Sequence, residues 1–130
     1  MLVALLAACA SSNASRGPIG ASELTAEDIE HNAGQPIEVV LQAKYPSVYV
    51  TRVNNELVVQ IRGPASFYSS GAPLYVVDEI AMPPGPGGTL SGINPYDIES
   101  IKVLKNAAEI SMYGARGANG VIIIKTKTKR

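Results

Sequence analysis

The chain has 130 residues, 46% hydrophobic and 17% charged, with eleven basic residues against eleven acidic ones. That composition describes one globular domain with a modest core and excludes a disordered chain. The even charge balance gives no electrostatic footing for nucleic acid or for acidic substrates. No stretch approaches the ~20 apolar residues that cross a bilayer as a helix, and no succession of amphipathic strands reads as a barrel.

Residues 1–8, MLVALLAA, are apolar and run directly into Cys9, the only cysteine, followed by a small polar stretch. A short apolar segment, small residues and then a cysteine have the character of a bacterial lipobox: Leu6-Ala7-Ala8-Cys9 predicts cleavage before Cys9 and lipidation of that cysteine. A lone cysteine has no internal disulfide partner, so acylation gives it a use. No Lys or Arg precedes Cys9, which places the expected true start upstream of Met1. Residues 9–23, rich in Ser, Ala and Gly, read as a flexible tether. Residues 24–128 read as the folded domain.

Within that domain, Thr25 followed by Glu27 and Asp28 predicts a capped helix start. Pro36 suits a first helical position, with Ile37, Val40 and Leu41 at helical spacing up to Ala43. Val48 to Val53 and Leu57 to Ile61 alternate about Asn54-Asn55 and predict a hairpin. Leu74-Tyr75-Val76-Val77 has no polar face, which predicts a central strand covered on both sides. Met82 to Gly88 is dense in Pro and Gly and reads as loop. Asn94-Pro95 opens a one-turn helix, Ile101 to Leu104 is a strand, and Ala107 to Tyr113 is a helix that Gly114 ends as a left-handed cap. Val121 to Thr126 is the last strand. The fold class expected is α+β, a small mixed β-sheet in one layer with short helices.

Candidate chemistry is sparse. His31 stands in a polar segment with no nucleophile placed beside it, so it reads as a solvated loop residue. Asp78 and Glu79 are adjacent, and in a strand they would point to opposite faces, so a turn-forming Asp is the better reading. No His, Cys or acid cluster has metal-ligand spacing. Gly114, Gly117 and Gly120 look like a phosphate loop, but such loops follow a strand and open a helix, whereas here a helix ends and a strand begins. They read as backbone devices. Arg116 among them is expected to fold back onto carbonyls or a carboxylate. The basic residues Lys125, Lys127, Lys129 and Arg130 read as a solvated tail. The expectation is therefore no enzyme, no catalytic residue, no cofactor and no metal.

Taken together, PLYVVDEI, the Pro/Gly loop, INPYDIESIKVLKN and MYGARGANGVIIIKTK follow one another in an order that resembles the plug domain of TonB-dependent outer-membrane receptors. The likeness is closest to the starch-utilisation type. It covers roughly Leu24 to Lys127 and is strongest from Pro73 onward; in the first half it rests on Ile61-Arg62-Gly63. The resemblance implies a plug-like fold that normally sits inside a large β-barrel. It also implies that Arg62 and Lys105 are docking residues whose partners are acids on the inner barrel wall. Two departures stand out. The family has Asp-Gly after the central strand where this chain has Asp78-Glu79, so that turn is expected to differ. No convincing TonB box stands between Cys9 and Leu24, which places coupling to TonB in doubt. With the lipobox, the resemblance implies a lipid-anchored plug-like domain on the periplasmic side of the outer membrane. Its partner would be an outer-membrane protein such as a receptor barrel, met through the loops Ser66–Ala72 and Met82–Gly92. Two alternatives stay open: a self-associating envelope scaffold pairing through a sheet edge, and the remnant of a full receptor. The small-molecule ligand is unknown.

Overall fold

The computed structural model describes residues 23–61, 71–90 and 92–127. Its centre is a five-stranded mixed sheet in the order β1-β6-β7-β4-β5, and a separate two-stranded sheet, β2-β3, packs beside it. In chain order the elements are β1 (Leu24–Thr25), α1 (Ala26–His31), α2 (Ile37–Lys44), β2 (Val48–Val53), β3 (Glu56–Ile61), β4 (Leu74–Val77), β5 (Ile80–Met82), β6 (Ile98–Leu104), α3 (Ala107–Ile110) and β7 (Val121–Thr126). Short 3₁₀ turns occupy Pro86–Gly88, Pro95–Asp97 and Ser111–Gly117.

The apolar runs explain the order. Val121-Ile122-Ile123-Ile124 has no polar position, and β7 accordingly sits in the middle, antiparallel to β6 and parallel to β4. Parallel pairing buries both faces, as the central-strand reading of β4 requires: Leu74, Tyr75 and Val76 are all buried. Alternation then sorts the side chains. Tyr75, Ile101, Val103, Ile122 and Ile124 face the main core with Ile29 of α1, Ile37, Val40 and Leu41 of α2, and Val48, Val59 and Ile61 of the hairpin. Leu74, Val76, Leu104 and Val121 form a second cluster, covered by Ile110 and Tyr113. Each such aliphatic side chain contributes roughly 1.5–3 kcal/mol when fully buried.

Local signals set the ends. Thr25 caps α1 in a reciprocal box with Asp28, satisfying two donors that the first turn leaves open. Asp28 also holds Lys44 of α2 at 3.1 Å. The backbone bond from Thr25, then Lys44, keeps the Asp28 carboxyl below its ordinary value. Asn94 accepts from Tyr96 N at 3.0 Å, with Pro95 at the first position of its turn.

Four expectations change. Pro36 is the residue before α2 rather than its first turn. The strands do not all join one sheet, because the β2-β3 hairpin is its own sheet. Met82 belongs to β5, a strand that pairs with β4 through Val77↔Ile80, Val76↔Ala81 and Tyr75↔Met82. The last helix is shorter than expected: α3 stops at Ile110 and continues as 3₁₀ turns. Gly114 lies inside them at φ 59° and ψ −149°, a conformation outside the left-handed helical well that only glycine adopts readily.

Candidate docking surface

Ile61 and Leu104, the residues that precede the docking candidates in sequence, lie at the same end of the fold. Ile61, the last described residue of β3, packs its side chain against Gly120, where an added Cβ would meet Ile61 Cδ1 at 2.9 Å. Gly120 leads into Val121, which pairs with Leu104, and Lys105 follows Leu104 out of the sheet. Lys105 is exposed and forms no ion pair among the described residues. Arg62 follows Ile61 and lies outside the described residues, as do Cys9 and residues 66–70 of one expected docking loop.

The glycines make this end compact. Gly120 has φ 97°, and its carbonyl accepts from Leu74 N at 3.0 Å. Gly117 is buried, with an added Cβ falling 2.9 Å from Tyr113 Cβ. Their roles are conformation and close approach, as the reversed helix-then-strand order implied. Arg116 does not fold back: it is exposed and makes no ion pair among the described residues. His31 is the last residue of α1, not a loop residue, and its Nδ1 lies 3.1 Å from Glu27 O. Lys127 is not a loose tail residue either, since its Nζ meets Glu30 at 2.9 Å and its N–H donates to Asp97 O at 2.7 Å.

The expected Asp78-Glu79 departure resolves differently. Asp78 and Glu79 hold φ 46° and 71°, the two left-handed residues that a two-residue type I′ hairpin turn demands. The turn geometry is therefore the one Asp-Gly would supply. Asp78 secures it from the side: Thr126 N–H and Oγ1–H donate to its carboxylate at 2.9 and 2.6 Å. Those bonds hold its carboxyl below the usual range.

Behind that turn runs a groove of about 570 Å³ that sequence reasoning did not find. Its floor is Val76 and Ile123, one wall is Tyr113, and Glu79, Glu99 and Lys125 stand around it. It is made where α3 and the 3₁₀ turns stop short of covering the second sheet face. No group of three or more His, Cys, Asp or Glu able to hold a metal occurs among the described residues. What this surface can do chemically is pack and pair charges.

The Pro/Gly loop is fastened to the opposite side. Tyr75 O–H donates to Gly88 O at 2.8 Å, and Leu90 N–H donates to the buried Glu38 at 3.2 Å. Burial raises the Tyr75 phenol well above its ordinary pKa. An added Cβ on Gly87 would lie 2.1 Å from Leu57 O, so the loop's backbone rests directly on β3.

The family model for the TonB-dependent receptor plug domain matches residues 13–121. The chain belongs to that plug-domain family. It is 39% identical over 111 residues to TonB-dependent receptor P26 of Formosa agariphila, covering 82% of this chain and 11% of that protein. It is 45% identical over 73 residues to TonB-dependent receptor SusC of Bacteroides thetaiotaomicron, covering 53% of this chain and 7% of SusC. Among solved structures, the RagAB peptide transporter aligns with TM-score 0.64 and 34% identity over 86% of this chain and 13% of its own. The siderophore receptor PirA of Pseudomonas aeruginosa aligns with TM-score 0.60 and 28% identity over 88% of this chain and 20% of its own. The plug-like α+β fold stands on these alignments. The chain spans about a tenth of the curated relatives it matches. Plug domains of this family are non-catalytic components of transport proteins.

Proposed function

We propose that this domain is the plug element of an outer-membrane uptake system, held at the membrane by a lipid on Cys9 and seated against the inner wall of a receptor β-barrel. The observation that carries the reading is family membership across residues 13–121. The end of the fold where β3 and β6 finish would be the seat, with Arg62 and Lys105 meeting acids on the barrel wall. A buried or half-buried Arg–carboxylate pair supplies directional, bidentate contacts, whereas an exposed lysine pair contributes only ~0–1 kcal/mol. Arg62 would therefore fix the seat and Lys105 would assist it. Leu6-Ala7-Ala8-Cys9 supports acylation and a periplasm-facing position.

The test is a pull-down from outer membranes with the tagged full chain, comparing wild type with Arg62→Ala. Wild type is expected to recover a TonB-dependent receptor barrel that the variant loses. Recovery of no barrel protein, or equal recovery by both, would remove the docking reading.

A further inference from the structure

The β2-β3 hairpin carries a backbone edge that nothing yet described uses. Its register runs without a bulge from Val53↔Glu56 to Val48↔Ile61, about the left-handed pair Asn54 and Asn55. In a two-residue hairpin the pair beside the turn is hydrogen-bonded, and the pattern then alternates. Leu57, Val59 and Ile61 on β3, and Val48, Val50 and Arg52 on β2, therefore direct their N–H and C=O groups outward. On β3 that edge is closed by the glycine turn, which lies against Leu57 O and Val59 O. On β2, Val48 N–H is spent on Tyr45 O at 2.9 Å. Val50 and Arg52 keep both groups directed away from β3, and of the described helices and strands only β3 and α2 make more than slight contact with β2.

Other edges are poorer templates. By the same alternation β5 turns outward only the backbone of Ala81, and Pro83 just beyond has no N–H to give. β1 is two residues long.

We propose that β2 is a pairing edge for a second copy of this chain, joined antiparallel about a two-fold axis at Thr51 to make a four-stranded sheet from two hairpins. This register is self-complementary. Val50 of one copy stands opposite Arg52 of the other, and both pairs exchange N–H···O=C bonds. On the solvent face Tyr49 meets Val53 of the second copy, and the two Thr51 residues meet each other; aromatic–β-branched and Thr–Thr pairs are favourable cross-strand combinations. Val53 is 52% exposed in the single chain, so pairing covers apolar surface. The charges fit as well: each Arg52 lies opposite a valine, so no like charges oppose one another, and the formal net charge is zero. The pairing is isologous and closes at two copies. It belongs to the chain outside a barrel and alternates with the docking reading, because a plug enclosed by a barrel wall cannot reach a second copy.

The experiment is sedimentation equilibrium of the full chain across a concentration series, with Arg52→Ala and Arg52→Pro. Proline at this position deletes only the outward N–H, the one place an edge strand tolerates it; alanine keeps that donor. Wild type and Arg52→Ala are expected to dimerise and Arg52→Pro to remain monomeric with an unchanged circular dichroism spectrum. A wild type that stays monomeric, or an Arg52→Pro that dimerises like Arg52→Ala, overturns the proposal. Should Arg52→Pro fail to fold, Thr51→Cys in a Cys9→Ser background decides. A non-hydrogen-bonded pair brings Cα atoms to about 4.5 Å, within disulfide reach. Mild oxidation is expected to give a covalent dimer, and its absence counts against the pairing.

Discussion

At the scale of single residues, the hairpin turn at Asp78-Glu79 shows how one side chain offsets an unfavourable backbone. Glu79 holds φ 71° with no glycine to ease it, and an L-residue in that region costs roughly 1–2 kcal/mol. Glu79→Gly is therefore expected to stabilise the domain by about 1 kcal/mol, less what glycine's extra freedom in the unfolded chain removes. Urea midpoints of the two proteins check this. Asp78 works in the opposite sense, binding Thr126 through both carboxylate oxygens. Its pKa is lowered on folding by those bonds, so its contribution is present above the unfolded value of about 4 and is lost as pH falls through the folded one. Stability measured by urea unfolding at stepwise lower pH should fall below about pH 4 in wild type. The slope should be shallower in Asp78→Asn, with Asp28 supplying part of what remains. Equal slopes would remove the role given to Asp78. The sequence did show a turn here; it did not show that Thr126, 48 residues away, would hold a non-glycine turn in the glycine geometry.

At the scale of elements, what could be read depended on length and on local chemistry. The β2-β3 hairpin was legible because six-residue alternating runs flank Asn-Asn, which enters the left-handed region at low cost. The capped α1 and the apolar β4 and β7 were legible for similar reasons. β5 was not, because three residues between a turn without glycine and Pro83-Pro84 carry no period to count. β1 is shorter still, and its pairing with Ile101 and Ser100 is wholly tertiary. The 3₁₀ continuation past Ile110 was hidden because Ser111-Met112-Tyr113 is equally compatible with an α-helical turn. The groove over Val76 and Ile123 was hidden with it, since it exists only where that segment ends. The Pro/Gly loop is an element in its own right, fitted to β3 at Gly87 and to Tyr75 at Gly88. Gly87→Ala would place a methyl 2.1 Å from Leu57 O at φ 67°, which the backbone cannot absorb in place. It is expected to destabilise by about 1–3 kcal/mol, and hydrogen exchange should quicken first at Leu90, whose N–H bonds Glu38. Unchanged exchange there would contradict the fastening described.

At the scale of the whole molecule, the two ends of the central sheet differ. One end carries the Asp78 turn and the last residues of β7; the other gathers Ile61, Gly120 and Leu104, which Lys105 follows. The resemblance was legible because PLYVVDEI and YGARGANGVIIIK encode β4, the central strand β7 and the glycine turn that meets Leu74. Arg62 and Lys105 came from the resemblance alone, since nothing about an exposed lysine after a strand marks it as a docking residue. The central claim is that this domain fills a receptor barrel. It is tested most directly in cells carrying a SusC-type receptor barrel from which the barrel's own plug has been deleted, leaving a pore open to large antibiotics. Supplying this chain in trans is expected to restore exclusion of the antibiotic, and Arg62→Ala to restore it less. Undiminished entry of the antibiotic, with the chain exported and folded, would contradict the account.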